Sequence, residues 1–337
     1  MTASTSSLAK LWLGAFGTGV AVIVVLMGLS IATPPFHGDL TRIGLVSERE
    51  FGWRGTSPAI DPALARDTPI AEADVLVIGD SFSMAREWQT VLAADGLRVA
   101  TTSWAQYGEA LCADTGARLA EAGFRGRLVI VQSVERLLAE RLRDSERCAH
   151  MPRPDALKKS PPLRPPTQAT APDEPNWEAP LTLGWRTWWV TRRVLRLEGD
   201  GRAAGETVVR AVADGCERFS HRHCRQALFY AHDTEKPELV AADVTRLRDV
   251  GHRLGLPVLW AVVPNKSTVY VEPAHSKAFA DAFAPSGLGP DLFAFARAQR
   301  LAVRDFYLPN DTHLSTRGEL LLGAELRAAA RERLSPP

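Results

Sequence analysis

Two short stretches, Gly79-Asp80-Ser81-Phe82-Ser83 and Asp311-Thr312-His313, hold the residue types that serine-based acyl transfer requires. A serine hydroxyl becomes an effective nucleophile when a neighbouring imidazole takes its proton, and the imidazole needs a carboxylate to fix its tautomer. Ser81 is the candidate nucleophile, His313 its general base and Asp311 the orienting carboxylate. Among the eight histidines, His313 is the one set in a polar turn with a carboxylate two residues back. Each stretch alone is ordinary turn chemistry, because Gly, Asp and Ser favour turns and Asp311 could simply cap a helix. The pair is what points to a triad.

The elements around these stretches must bring them together. Val75–Ile78 is an apolar run of strand length, and Gly79-Asp80-Ser81 turns from its carboxyl end into a helix. That turn puts Ser81 where open α/β sheets hold their sites, with its own N–H and the positive helix end facing a developing oxyanion. Further strand signals fall at Leu97–Thr101, Leu128–Val131, Ala227–Tyr230, Val258–Val263 and Leu301–Phe306. Helical spacing lies between them, notably Val240–Leu254 closed by Gly255. This alternation predicts an α/β fold with a parallel sheet flanked by helices. A C-terminal helix is expected after Ser315 or Thr316, with Thr316 and Glu319 spaced as a capping box. Prolines crowd residues 151–180, which read as an insertion because neither ladder tolerates that density.

Composition sets the compartment. A formal net charge of +1 over 337 residues argues against nucleic acid as a partner. Leu11–Ala32 carries no charge and is long enough for one bilayer crossing, so residues 1–32 are read as an anchor or signal segment. Ser30-Ile31-Ala32 fits a signal-peptidase site, but the apolar run exceeds a usual signal core, which favours an uncleaved transmembrane helix. Residues 33–70 are expected to be a tether, and 71–335 the folded domain. Export fits the four cysteines, read as the disulfides Cys216–Cys224 and Cys112–Cys148. Cys216, His221, His223 and Cys224 lack zinc-ligand spacing, so no metal is expected. Trp185–Arg196 has helical spacing. It is read either as a platform for sugar rings or the membrane surface, or as a helix packing its Trp face on the domain, which is the expectation here.

The order of the two motifs, serine first and Asp-x-His near the end, resembles the SGNH (GDSL) hydrolases, and the G-x-S-x-G elbow of α/β-hydrolases is absent. Phe306-Tyr307-Leu308-Pro309-Asn310-Asp311-Thr312-His313-Leu314-Ser315 is similar to the signature of the SGNH-like domain of alginate O-acetyltransferases. Val263-Pro264-Asn265-Lys266-Ser267-Thr268-Val269-Tyr270 and Val134-Glu135-Arg136 resemble further elements of that family, with Leu314 standing where the family commonly has Trp. The resemblance implies a flavodoxin-like, SGNH-hydrolase-like parallel sheet and an acetyl-enzyme at Ser81. It implies no cofactor, a polysaccharide acceptor and a membrane-bound O-acyltransferase that exports acetyl groups. The domain would then stand in the periplasm on a single-pass inner-membrane anchor. It also implies a second oxyanion donor, for which Gly108, Gln132 and Arg136 are candidates beside the Ser81 N–H. Lys266 and Tyr270, with Trp188 and Trp189, are candidates for substrate contact. An acetyl-esterase and a catalytically silent glycan-binding protein are the alternatives.

Overall fold

The computed structural model describes residues 5–164 and 175–335. Among them, strands β1 (Val75–Gly79), β2 (Val99–Ser103), β3 (Leu128–Val134), β4 (Gly201–Arg202), β5 (Thr207–Ala211), β6 (Gln226–Tyr230) and β7 (Val258–Val263) form two sheets. The larger is parallel, in the order β2-β1-β3-β7, with Ile78 opposite Thr102 on one side and Val131 on the other. Its strands are almost wholly buried and mostly apolar because helices cover both faces, with Thr101, Thr102, Gln132 and Ser133 as buried polar exceptions near the carboxyl ends. Leu76, Ile78, Val129 and Val131 enter one core, and Val75, Val77, Leu128 and Ile130 enter the other. The chain reverses its direction of travel across the sheet between β1 and β3. Their carboxyl ends flank the crevice where such sheets bind ligands.

Three expectations need correction. Ala227–Tyr230 is a strand, but in a separate antiparallel sheet ordered β4-β5-β6. Leu301–Phe306 is not a strand: a helix runs through Ala302, and Asp305 adopts a left-handed φ of 55° that breaks any extended run. The Asp305 carboxylate there takes the Trp53 indole N–H and the Ser220 N–H. Residues 33–70 are not a free tether. Leu40, Val46 and Phe51 are fully buried against Val190, Val194, Val209 and Leu228.

Helix α1 (Thr5–Ile31) is long and apolar enough to be a membrane span or a signal sequence. Helix α2 (Asp39–Gly44) follows only seven residues later. Glu48, just beyond α2, is buried and accepts hydrogen bonds from the His37 and Gly38 N–H groups of this short link and from Asn310 Nδ2–H. The segment leaving α1 is thereby bolted to the loop that carries Asp311. The helix Leu183–Val194 and the C-terminal helix Thr316–Leu334 form as their spacing predicts. The N-cap of the latter is Ser315, which accepts from Gly318 N–H, so the expected Thr316–Glu319 capping box is not what starts it.

Candidate active site

The turn after β1 is fixed from beneath before any chemistry is considered. Asp80 is buried, and its carboxylate accepts from Val134 N–H at 2.7 Å, Phe82 N–H at 3.2 Å and Arg141 Nη1–H at 3.0 Å. Burial alone would raise this carboxyl, but Arg141 and these N–H donors outweigh it and hold it below its ordinary value. Gln132 Oε1 accepts from the Asp80 N–H and from Ser83 Oγ–H. Gly79 is required here: a Cβ would fall 2.2 Å from Ser83 Oγ. With both ends held, the turn projects Ser81 into the crevice, and among the described residues its N–H makes no backbone bond.

The distant stretch meets it there. Ser81 Oγ–H donates to His313 Nε2 at 2.7 Å, and His313 Nδ1–H donates to Asp311 Oδ1 at 2.6 Å. Asp311 Oδ1 also accepts the His313 N–H, and Oδ2 accepts the Asp39 N–H at 2.9 Å. Burial would lower the imidazole, yet the Asp311 carboxylate and then Asp39 hold His313 above its ordinary value. Burial would raise Asp311, and His313 with the Asp39 N–H keeps it far below the carboxylate range. The outcome is an ionised aspartate that fixes the tautomer and leaves Nε2 free to accept a proton from Ser81. The Phe82 ring packs 4.7 Å from the imidazole and limits its rotation.

The cavity over Ser81 holds about 210 Å³ and is walled by Asp39, Phe82, Ala85, Glu87, Arg164, Leu314 and Glu319 around the triad. None of Gly108, Gln132 and Arg136 lines it. Gly108 is exposed at φ 67° and donates its N–H to Ala105 O. Gln132 is fully buried beneath the turn, and Arg136 pairs with Asp233 at 3.1 Å and lies over the Tyr230 ring. Lys266 and Tyr270 are likewise supports and not wall residues. Lys266 is buried, and Nζ donates to the carbonyls of Leu308, Pro309 and Asp311 at 2.7, 3.0 and 3.2 Å. Burial pulls its ammonium down to about 7. The Tyr270 hydroxyl accepts the Tyr307 N–H. Trp188 and Trp189 lie outside this cavity, on the exposed face of their helix, which corrects the expectation that they pack on the domain. The cysteines form Cys112–Cys148 and Cys216–Cys224.

Sequence reading missed Asp39, Glu87, Arg164 and Glu319. Arg164 comes from the Pro-rich insertion, whose residues 165–174 lie outside the described ones, and its N–H donates to Met84 O. Glu87 and Glu319 had no signal but their place: both are more than nine-tenths buried beside the triad. Compared with known proteins, the chain matches no family model, no curated protein and no solved structure. The geometry therefore stands on its own as a serine-histidine-aspartate relay at the switch point of a parallel sheet.

Proposed function

We propose that this chain is an SGNH-type serine O-acetyltransferase that works on the outer face of the cytoplasmic membrane and acetylates a polysaccharide. The observation that carries the reading is the unbroken relay from Ser81 through His313 to Asp311. In the first half-reaction Ser81 Oγ attacks the acetyl carbonyl while His313 Nε2 takes its proton, and the Ser81 N–H supports the oxyanion. Collapse of that intermediate passes the proton from His313 to the leaving oxygen and leaves acetyl-Ser81. In the second, a sugar hydroxyl gives its proton to His313 and attacks the acetyl-enzyme, forming the glycan ester and restoring Ser81.

The cavity supports a short acyl group. Its roughly 210 Å³ falls below the 300–1,000 Å³ of drug-sized ligand sites, which suits a short acyl group held at Ser81. A glycan acceptor would lie across the mouth, and the acetyl donor would be a membrane protein that exports acetyl groups. Export fits the two disulfides and α1. Retention of α1 is supported by Ser30: its side chain is buried and bonded to the Leu181 carbonyl, within a helix, where a signal peptidase needs an accessible extended segment.

The test incubates the full chain with a chromogenic acetyl ester, with and without oligosaccharides. The expected result is an intact-mass increase of one acetyl group, absent in Ser81→Ala, and transfer of that group to the oligosaccharide. Acetyl-enzyme that yields only acetate in the presence of every acceptor would make the protein an esterase. Unchanged turnover in Ser81→Ala would remove the enzyme reading altogether.

A further inference from the structure

The helix Leu183–Val194 is amphipathic in an unusual sense. Its inner face, Gly184, Thr187, Val190, Thr191 and Val194, is buried, with Thr191 Oγ1 accepting the Ser47 N–H at 2.9 Å. Its outer face carries three tryptophans, Trp185, Trp188 and Trp189, which are 46, 43 and 57% exposed. The Trp185 ring stacks on Trp188 and Trp189 with centroids 5.2 and 6.3 Å apart, Trp188 and Trp189 lie tilted at 6.5 Å, and the Arg192 guanidinium lies over Trp188. Among the described residues outside α1, nine large apolar side chains are exposed, and six of them fall between Trp177 and Leu195. A soluble surface scatters such residues singly; a cluster marks a partner.

The position of the cluster says which partner. The Gly184 N–H donates to Ser30 Oγ, Ser30 Oγ–H donates to Leu181 O, and the Asn176 N–H donates to Ile31 O. Gly184 approaches so closely that a Cβ would fall 2.3 Å from the backbone of Leu29. This helix is therefore clamped to the last turn of α1. If α1 spans the bilayer, its apolar stretch of about 20 residues ends at the headgroup layer there. Trp and Arg are the side chains suited to that layer, where a ring body sits among acyl carbons while its polar edge and the guanidinium stay wet.

We propose that Trp177, Leu181 and the Trp185-Trp188-Trp189 face dock on the lipid headgroup layer beside the exit of α1, as an interfacial helix that fixes the domain's orientation. Two contacts, one through α1 and one beside it, resist rotation where a single span would not. The Val190 and Val194 side chains share a core with Leu40, which follows Asp39, so the docked helix is rigidly continuous with the segment whose N–H holds Asp311. The triad would then be presented at a set height and angle to the membrane.

The test needs no turnover measurement, so it stands or falls apart from the acyltransfer reading. Full-length Trp12→Phe protein, which removes the α1 tryptophan, is reconstituted in phosphatidylcholine vesicles with or without bromine on the acyl chains near the carboxyl end. Brominated lipid is expected to quench tryptophan emission. Adding Trp185→Ser, Trp188→Ser and Trp189→Ser should remove most of that quenching with no change in thermal melting. Equal quenching in both proteins, or none in either, overturns the proposal. So does protection of these rings by a soluble oligosaccharide in detergent without any lipid effect, which would make the face a glycan platform. If the triple variant fails to fold, a nitroxide on Trp189→Cys reads the same surface: preference for oxygen over a water-soluble nickel chelate is expected, and free access of the chelate overturns it.

Discussion

The two walls of the cleft differ in how their charges are held. On the Ser81 side the polar groups are tightly partnered: Asp311 takes three N–H donors, and Asp80 takes two backbone N–H groups and a guanidinium. Elsewhere on the cavity wall Glu87 and Glu319 are neighbouring carboxyls with little to offset them. Glu87 receives one hydroxyl from Thr316 at 3.3 Å, and Glu319 Oε2 has no partner among the described residues. Burial raises Glu87, and burial with the neighbouring Glu87 and Asp80 raises Glu319 well above its ordinary value. Buried carboxyls of one cavity are therefore shifted in opposite directions by their partners. The first wall favours a fixed negative charge that orients a base, while the second disfavours the ionised form of its carboxyls.

The comparison is tested hardest on the partnered wall. Ser81→Ala should abolish turnover with little change in melting temperature, because its side chain is partly exposed and, among the described residues, bonded only to His313. Asp311→Asn should cost roughly 10³–10⁴-fold in kcat, in line with triads that lose their tautomer control. Its pH profile is the sharper readout. His313 is held above its ordinary value, so the wild-type base limb rises with pH beyond 6.5. Removing the carboxylate should move that limb to lower pH. A limb that stays in place in Asp311→Asn would mean that Asp311 does not act on His313.

Lys266→Met is next in size. It leaves the Pro309 and Asp311 carbonyls without a donor among the described residues, and Leu308 O with only the Asp311 N–H at 3.5 Å, each lost donor costing about 1–3 kcal/mol when buried. The loop should relax, with a lower melting temperature and a fall in kcat of roughly 10²-fold, since displacements of about 1 Å cost that much. Equal kcat and melting temperature in the variant would show that the relay holds its geometry unaided.

These supports also mark the limit of what the sequence revealed. Ser81, Asp311 and His313 were legible because each is a chemical type in a recognisable turn, and β1, β3 and β7 because buried parallel strands read as apolar runs. Lys266 was picked out but misplaced: from its position after β7, nothing distinguished a side chain lining the cleft from one turned inward to bond carbonyls. Asp39 was illegible, since its contribution is a backbone N–H delivered across 272 residues by buried Leu40 and Glu48. Leu301–Phe306 misled because its apolar residues imitate a strand, while Arg304 and Asp305 are held by contacts with Phe219, Ser220 and Trp53 that no local pattern contains. The Trp helix had a correct period and an inverted face. Periodicity fixes which residues share a face but not whether that face meets a core or a membrane.

The unpartnered wall gives the smallest effect and the clearest sign. A carboxyl whose folded-state value is raised contributes stability in full below its unfolded value, and that contribution is lost as pH rises through the folded value. Glu319→Gln keeps the shape of the side chain and removes its ionisation. The two proteins should therefore melt alike at acid pH, and the variant should gain on the wild type as pH increases above the ordinary carboxyl value. A gain of about 1 kcal/mol corresponds to roughly 2–4 °C for a domain of 150–250 residues, within reach of a melting series across pH. Asp311 and His313 titrate in both proteins, so their contributions cancel in the difference. Turnover of a small acetyl ester should change little, because Glu319 bonds to no member of the triad. Melting curves that run parallel at every pH would show that Glu319 carries no raised carboxyl, and the contrast between the two walls would go with it.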